Sequence, residues 1–419
     1  MTGNHGSLSR RRECRLCGSP HPQPLCAFAD TPLANEFVSA SLRSASTERF
    51  PLAIYRCEAC GHVQLLDVVD PERLFRNYVY VSSTSPVFVD HFHRYAEAMI
   101  RLTAMPAGST VVEIGSNDGV LLRAFQQAGM RVLGIDPARA IAAEATRHGI
   151  ETLPEFFTRP LATRLRQQGY EASLVVANNV FAHADDLRDI VEGVAHLLHP
   201  EGLFVVEVSY LLDVVEKTLF DTIYHEHLSY HSVKPLVNFF ARQGMKLIDA
   251  VRVETHGGSL RGLAALDGSR WSPHARVQEL MALEASRGLY EAATYQRWFD
   301  DVQRLKAQLV DVLGRLKAQG KTIVGFGAPA KATTLMFHFG IGAETLDYLV
   351  DDSPWKQGLY SPGHHLPIVP SSRLYDPAHR PDYVLILAWN FAEAIIKTHH
   401  RFLETGGHFI LPLPRVEIR

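Results

Sequence analysis

Val111-Val112-Glu113-Ile114-Gly115-Ser116-Asn117-Asp118-Gly119 is the stretch on which the fold turns. A short apolar run ends in a glycine-rich turn, the pattern of a strand feeding a helix N-terminus. At such a junction backbone N–H groups point outward and hold a nucleotide-like ligand. Glycine at 115 lets the backbone approach that ligand closely.

The pattern repeats downstream. Arg131–Ile135 ends at Asp136, Ala172–Ala177 at Asn178-Asn179, and Leu203–Val208 at Ser209-Tyr210. Alternating strands and helices from about 88 to 208 predict an α/β fold with a doubly wound parallel sheet. Asp136 stands 21 residues beyond Gly115 (136 − 115), where a carboxylate at a strand tip suits a ribose diol. His183 lies just past Asn178-Asn179, where open α/β sheets place ligands, although a lone histidine more often packs. The same weighing applies to Tyr78 and Tyr80.

A second α/β unit starts at Lys321-Thr322-Ile323-Val324-Gly325-Phe326-Gly327-Ala328-Pro329-Ala330-Lys331. Leu346–Val350 and Tyr383–Leu387 are its next strands, ending at Asp351-Asp352 and Trp389-Asn390. Gly-x-Gly without a third glycine is a weak dinucleotide fingerprint, but the layout supports a nucleotide or phosphate site. Before it, Trp298, Val302, Leu305, Leu309, Val312 and Leu316 form one apolar stripe of a long helix ending at Gly320, a packing feature.

Upstream lie two Cys-x-x-Cys knuckles, Cys14/Cys17 and Cys57/Cys60, each followed by glycine. Thiolates at that spacing converge on one tetrahedral ion, so a closed structural zinc site is expected. Cys26 is left over, either a buried thiol or an alternative ligand. The chain has 419 residues, 46% hydrophobic and 21% charged, with a net charge of −3. These values fit a multidomain globular protein and give no basic excess for nucleic acid. No stretch approaches a membrane span and no apolar leader is evident, so a cytoplasmic location is expected. Four of the five cysteines sit in knuckles, which argues for metal binding in a reducing compartment.

The densest titratable cluster is Tyr224-His225-Glu226-His227-Leu228-Ser229-Tyr230-His231. It reads either as a second metal site or as a general acid/base set. No third ligand is obvious and the cysteines already meet the zinc requirement, which favours acid/base chemistry. His256-Gly257-Gly258-Ser259-Leu260-Arg261 offers backbone, hydroxyl and cation together, suited to an anion or sugar, though a tight turn explains the glycines as well.

Taken in order, Cys-x-x-Cys, Cys-x-x-Cys-Gly-His, Glu-Ile-Gly-Ser-Asn-Asp-Gly, Tyr-His-Glu-His, His-Gly-Gly-Ser-Leu-Arg and Gly-Phe-Gly-Ala-Pro-Ala-Lys resemble the zinc-binding, S-adenosylmethionine-dependent C-methyltransferases of deoxysugar biosynthesis. The resemblance spans nearly the whole chain. It implies a zinc lobe (12–70), a class I methyltransferase domain with a Rossmann-like fold (71–210) and a C-terminal substrate domain (211–419). The last would contain a Rossmann-like unit from about 320 to 419. It implies zinc on Cys14, Cys17, Cys57 and Cys60. S-adenosylmethionine would be held by Glu113, Gly115, Ser116, Asn117, Asp118, Asp136 and Asn178. A 4-keto nucleotide sugar, dTDP-linked by preference with GDP or CDP open, would meet His256, Ser259, Arg261 and Lys331. His227 is the leading base for proton removal at C-3 and Tyr224 the alternative base or enolate donor. Glu226 would orient a histidine or hold a hydroxyl, with His183 and Tyr78 in support. Rival expectations are a nicotinamide-dependent oxidoreductase, an O- or N-methyltransferase, and a non-catalytic sugar-nucleotide binder.

Overall fold

The computed structural model describes residues 8–419 apart from 77, 79, 80, 85 and 256. Packing divides the chain into two units. One comprises Met1–Gln23, Tyr55–Leu212 and Leu228–Tyr290, the other Pro24–Ile54, Asp213–His227 and Glu291–Arg419. Each is thus assembled from three separate stretches, whereas the segments expected from sequence are contiguous. Among the described residues, no helix is long and apolar enough to cross a membrane.

The first unit is built on a seven-stranded sheet. Its strands are β1 (Thr110–Ile114), β2 (Arg131–Ile135), β3 (Thr152–Leu153), β4 (Ala172–Asn178), β5 (Leu198–Ser209), β6 (Met245–Val253) and β7 (Ser259–Leu266). Their order is β3-β2-β1-β4-β5-β7-β6. The first five run parallel, while β7 pairs antiparallel with both β5 and β6. The apolar runs are continuous because both faces are covered: Val111, Val112, Leu174, Val175 and Val176 are completely buried. Parallel pairing of β1, β2 and β4 brings Ile114, Ile135 and Ala177 level, so the turns after them share one sheet edge. Helix α1 (Val120–Gln127) follows the glycine turn and buries Leu121, Leu122, Ala124 and Phe125. The strands β6 and β7 were not anticipated. Both lie beyond residue 210, and their two antiparallel pairings carry the sheet past the parallel pattern legible upstream.

The second unit carries the long helix α2 (Ala292–Ala318) and a six-stranded sheet. The strands are β8 (Ile323–Phe326), β9 (Leu349–Val350), β10 (Ile368–Val369), β11 (Tyr383–Ile386), β12 (His408–Leu411) and β13 (Glu417–Ile418), in the order β10-β9-β8-β11-β12-β13. All neighbours are parallel except β12 and β13. Between β8 and β9 runs helix α3 (Ala330–Phe339), which starts one residue before Lys331. On α2 the buried stripe contains Leu313 where Val312 was expected, because a 3.6-residue turn carries the face one position further on.

Candidate active site and metal centre

The four knuckle cysteines converge in the first unit, with all four Sγ atoms within 4.8 Å of one another. Cys14 and Cys60 approach to 3.6 Å, and Cys17 and Cys57 to 3.5 Å. A tetrahedral zinc with Zn–S of about 2.3 Å requires S···S edges of about 3.8 Å, so the residues fit the ion. Each knuckle closes the same way. Gly18 N–H donates to the Cys14 carbonyl at 2.9 Å and Gly61 N–H to the Cys57 carbonyl at 2.8 Å. With four protein ligands the ion is closed to substrate and its role is structural. Cys26 belongs to the other unit, and burial pushes its thiol up to about 12, which makes it a poor ligand and nucleophile.

At the carboxyl edge of the first sheet, the turn after β1 is shaped by a glycine that a side chain would strain and crowd. Gly115 has φ +68°, and a Cβ there would fall 2.1 Å from Cγ2 of Val180. Asp136 accepts N–H bonds from Asn117 and Ala138, each at 2.8 Å, so its carboxylate is fixed beside that turn. Burial raises its pKa and these two backbone donors pull it back. Ser82 N–H donates to Asn117 Oδ1 at 3.0 Å, and Ser83 N–H to Asp118 Oδ2 at 3.2 Å. Glu113 Oε2, Ser116 Oγ and Asp118 Oδ1 are buried without a hydrogen-bond partner among the described residues. Burial, with Asp118 and Asp136 nearby, pushes the Glu113 carboxyl well above the usual range despite the Asn178 amide. Buried polar atoms left unpaired cost about 1–3 kcal/mol each, so this edge fits a ligand rich in donors and acceptors, as the adenosyl and amino-acid parts of S-adenosylmethionine are. Close by in sequence, Phe75 stacks on His183 with ring centroids 5.5 Å apart and meets Tyr78 at 6.0 Å. His183 and Tyr78 therefore share one aromatic neighbour.

The titratable cluster divides between the units. Tyr224 to His227 belong to the second and Leu228 to His231 to the first. Within the second unit, Tyr224 and His227 are partly open while His225 and Glu226 are buried. His225 Nε2 lies 3.1 Å from the Pro51 carbonyl, an acceptor, and its ring meets Phe50 edge-on, a packing arrangement. Glu226 accepts from the Asn35 amide at 2.7 Å. His227 Nδ1 lies 2.7 Å from the Thr222 carbonyl, which only accepts, so Nδ1 carries the proton. Its Nε2 therefore presents the lone pair, 2.8 Å from the Tyr224 hydroxyl. Burial holds His227 down to about 4, with the Thr222 carbonyl opposing and Lys331 reinforcing the shift. Its imidazole is neutral at pH 7.

Lys331 stands 4.5 Å from the centre of the Trp389 ring and donates to Asn390 Oδ1 at 3.4 Å. The His-Gly-Gly-Ser-Leu-Arg motif resolves differently. His256, like Tyr80, lies outside the described residues. Ser259 is completely buried and donates to the Thr255 carbonyl at 3.1 Å. Arg261 grips the buried Glu207 through Nε at 2.8 Å and Nη2 at 2.7 Å. Burial opposes ionisation of Glu207, but His91 and Arg261 bring it down to about 2. Three residues of the second unit were not read as functional from the sequence: Asp221, Asn35 and Trp389. Asp221 carried a signal, an acid within the apolar run Leu219-Phe220 and Ile223 just ahead of Tyr224.

Three family models match in chain order. That described as "Putative zinc binding domain" covers residues 14–75, "Methyltransferase domain" 89–250, and "C-methyltransferase C-terminal domain" 254–414. The C-methyltransferase NovU of Streptomyces niveus is 36% identical over 406 residues, 97% of this chain and 96% of that protein. The chain belongs to the zinc-binding, S-adenosylmethionine-dependent C-methyltransferase family. This C-methyltransferase also matches the ubiquinone biosynthesis O-methyltransferase of Methylobacterium sp. (strain 4-46), at 33% identity over 23% of this chain and 40% of that protein. Among solved structures, the PH0226 protein of Pyrococcus horikoshii matches with a TM-score of 0.36 and 12% identity, over 47% of this chain and 98% of that one. Family membership makes the chain an enzyme and displaces the oxidoreductase, O- or N-methyltransferase and simple-binder readings.

Proposed function

We propose that this C-methyltransferase acts on a nucleotide-linked 4-keto deoxysugar, dTDP-linked by preference, and methylates C-3 through an enolate. The observation that carries the reading is the tautomer of His227. Its Nδ1–H is committed to Thr222 and its neutral Nε2 is open to a proton through Tyr224. Carbon is a poor nucleophile until a proton is removed, and a ketone makes the adjacent C–H acidic enough for a side-chain base. His227, kept neutral by burial, is such a base. The Tyr224 hydroxyl caps the Nε2 lone pair, so Tyr224 either turns aside or passes its own proton to Nε2 as it takes the one from carbon. Glu226, held by Asn35, would bind a sugar hydroxyl. When bound, S-adenosylmethionine supplies an electrophilic methyl on a sulfonium, and Asp136, Glu113 and Asn178 are proposed to hold it. His183 and Tyr78 are proposed as supporting hydrogen-bond groups, and Ser259 and Arg261 as substrate-binding residues.

The test is solvent exchange. Incubated in D₂O with a 4-keto nucleotide sugar and no methyl donor, the enzyme should exchange the proton next to the ketone. His227→Ala should lower that rate by about 10²–10⁴-fold, the usual contribution of a general base. A loss below about tenfold in both His227→Ala and Tyr224→Phe refutes their assignment.

A further inference from the structure

One short turn, Phe220–Ile223, fixes more than the base. The Thr222 carbonyl accepts the hydrogen bond from His227 Nδ1–H. The neighbouring side chain, Asp221, is completely buried, and its Oδ2 accepts from Trp389 Nε1 at 2.5 Å. The Trp389 face in turn stands 4.5 Å from the Lys331 ammonium. The turn is also pinned to α3, the helix that carries Lys331. Thr334, three residues on and therefore on the same side of the helix, donates to the Ile223 carbonyl at 2.6 Å. Phe220 stacks on Phe339 of that helix with centroids 4.8 Å apart. Base and cation are thus held in a fixed relation by adjacent residues, all within the second unit.

We propose that Lys331 is the cation that stabilises the enolate oxygen, and that Asp221, acting through Trp389, is the residue that positions it. This rests on the carbon-methylation reading above. In the step concerned, the base takes the α proton, the C–H electron pair becomes the C=C bond, and the carbonyl π pair moves onto oxygen. The pair returns when the new carbon–carbon bond forms and the thioether leaves. The negative charge therefore appears on an oxygen two bonds from the base's target carbon, where a cation fixed relative to that base is useful. Lys331 suits the task because its hydrogen bonds are few. Among the described residues Nζ has Asn390 Oδ1 as its acceptor and an aromatic face below, so donors remain for an oxyanion. Burial lowers its pKa and Asp221 raises it again, so Asp221 supports the charge without lying in direct ion-pair contact.

The experiment compares Lys331→Met, Lys331→Arg, Asp221→Asn, Trp389→Phe and the double variant Asp221→Asn/Lys331→Met. Three quantities are read: sugar affinity by calorimetry, α-proton exchange at saturating sugar without methyl donor, and kcat against KM of methyl transfer. Lys331→Met should lower saturated exchange and kcat by about 10²–10³-fold, the scale for losing one oxyanion donor, with sugar affinity changed less than tenfold. Lys331→Arg should recover part of the loss. Asp221→Asn should lower kcat in the same direction, and the double variant should match Lys331→Met alone because Asp221 works through Lys331. Trp389→Phe keeps the ring and loses the indole N–H, so it repeats the test if Asp221→Asn folds poorly. If Lys331→Met raises KM and weakens sugar binding while saturated exchange is unchanged, Lys331 holds the diphosphate and the proposal falls. Multiplicative losses in the double variant overturn the positioning role. Wild-type enzyme that neither exchanges the proton nor methylates carbon overturns the underlying reading instead.

Discussion

Replacing Asp136 by alanine probes the cofactor edge most cleanly. The carboxylate is 7% exposed and each oxygen already accepts one backbone N–H at 2.8 Å. Each oxygen keeps a second lone pair, and the two together match a ribose diol. A hydrogen bond to a charged group contributes about 1.5–3 kcal/mol net. The two hydroxyls exchange bonds with water on leaving, so the affinity loss should be of that same order, about 10- to 150-fold. Alanine also strands the Asn117 and Ala138 N–H groups, costing about 1–3 kcal/mol each if they stay dry. A lower melting temperature should therefore accompany the weaker binding. Calorimetric titration with S-adenosylmethionine, on samples shown folded by near-ultraviolet circular dichroism, separates the two effects. A variant that loses stability yet binds normally would show the carboxylate to be only a turn cap and refute its assignment to the ribose.

Other expectations follow from the same geometry. Gly115→Ala should destabilise the first unit by about 2–4 kcal/mol, since a positive φ costs an L-residue about 1–2 kcal/mol and overpacking adds a similar amount. Val180→Ala should restore the steric part, and a thermal melt reads both. Chelation of zinc or Cys57→Ser should lower the stability of the first unit, because site formation is coupled to folding. Metal analysis should give one zinc per chain, unaffected by His227→Ala. For pH, the folded His227 sits at about 4 against the ordinary 6.5. Between these values the unfolded chain binds more protons, so this contribution to stability is complete above 6.5 and lost as pH falls toward 4. The acid limb of kcat/KM should accordingly lie below pH 5, and a limb near 6.5 would contradict a neutral His227.

Much of the architecture was legible because parallel strands covered on both faces leave continuous apolar runs. Val111–Ile114, Arg131–Ile135 and Ala172–Ala177 announce themselves, and their ends place Gly115, Asp136 and Asn178 on one edge. Strands β6 and β7 escaped because Met245–Val253 and Ser259–Leu266 follow a long insertion after the parallel core. The knuckle spacing was decisive for zinc. The acid/base cluster was legible as a concentration of histidines but not in its division. Only contacts reveal that His225 faces the Pro51 carbonyl while His227 meets Tyr224. Arg261 was legible as a cation, but sequence cannot show its partner, Glu207, 54 residues away. Asp221 and Trp389 are 168 residues apart and no local pattern joins them.

The central claim is that carbon receives the methyl group. With ¹³C-methyl S-adenosylmethionine and a 4-keto nucleotide sugar, carbon–proton correlation spectra of the product locate that carbon directly. The account predicts a methyl signal coupled to the ring carbon at C-3, beside the ketone. A methyl at C-5, the ketone's other neighbour, would move the site of proton removal but keep the enolate. A methyl bonded to oxygen or nitrogen would contradict the account.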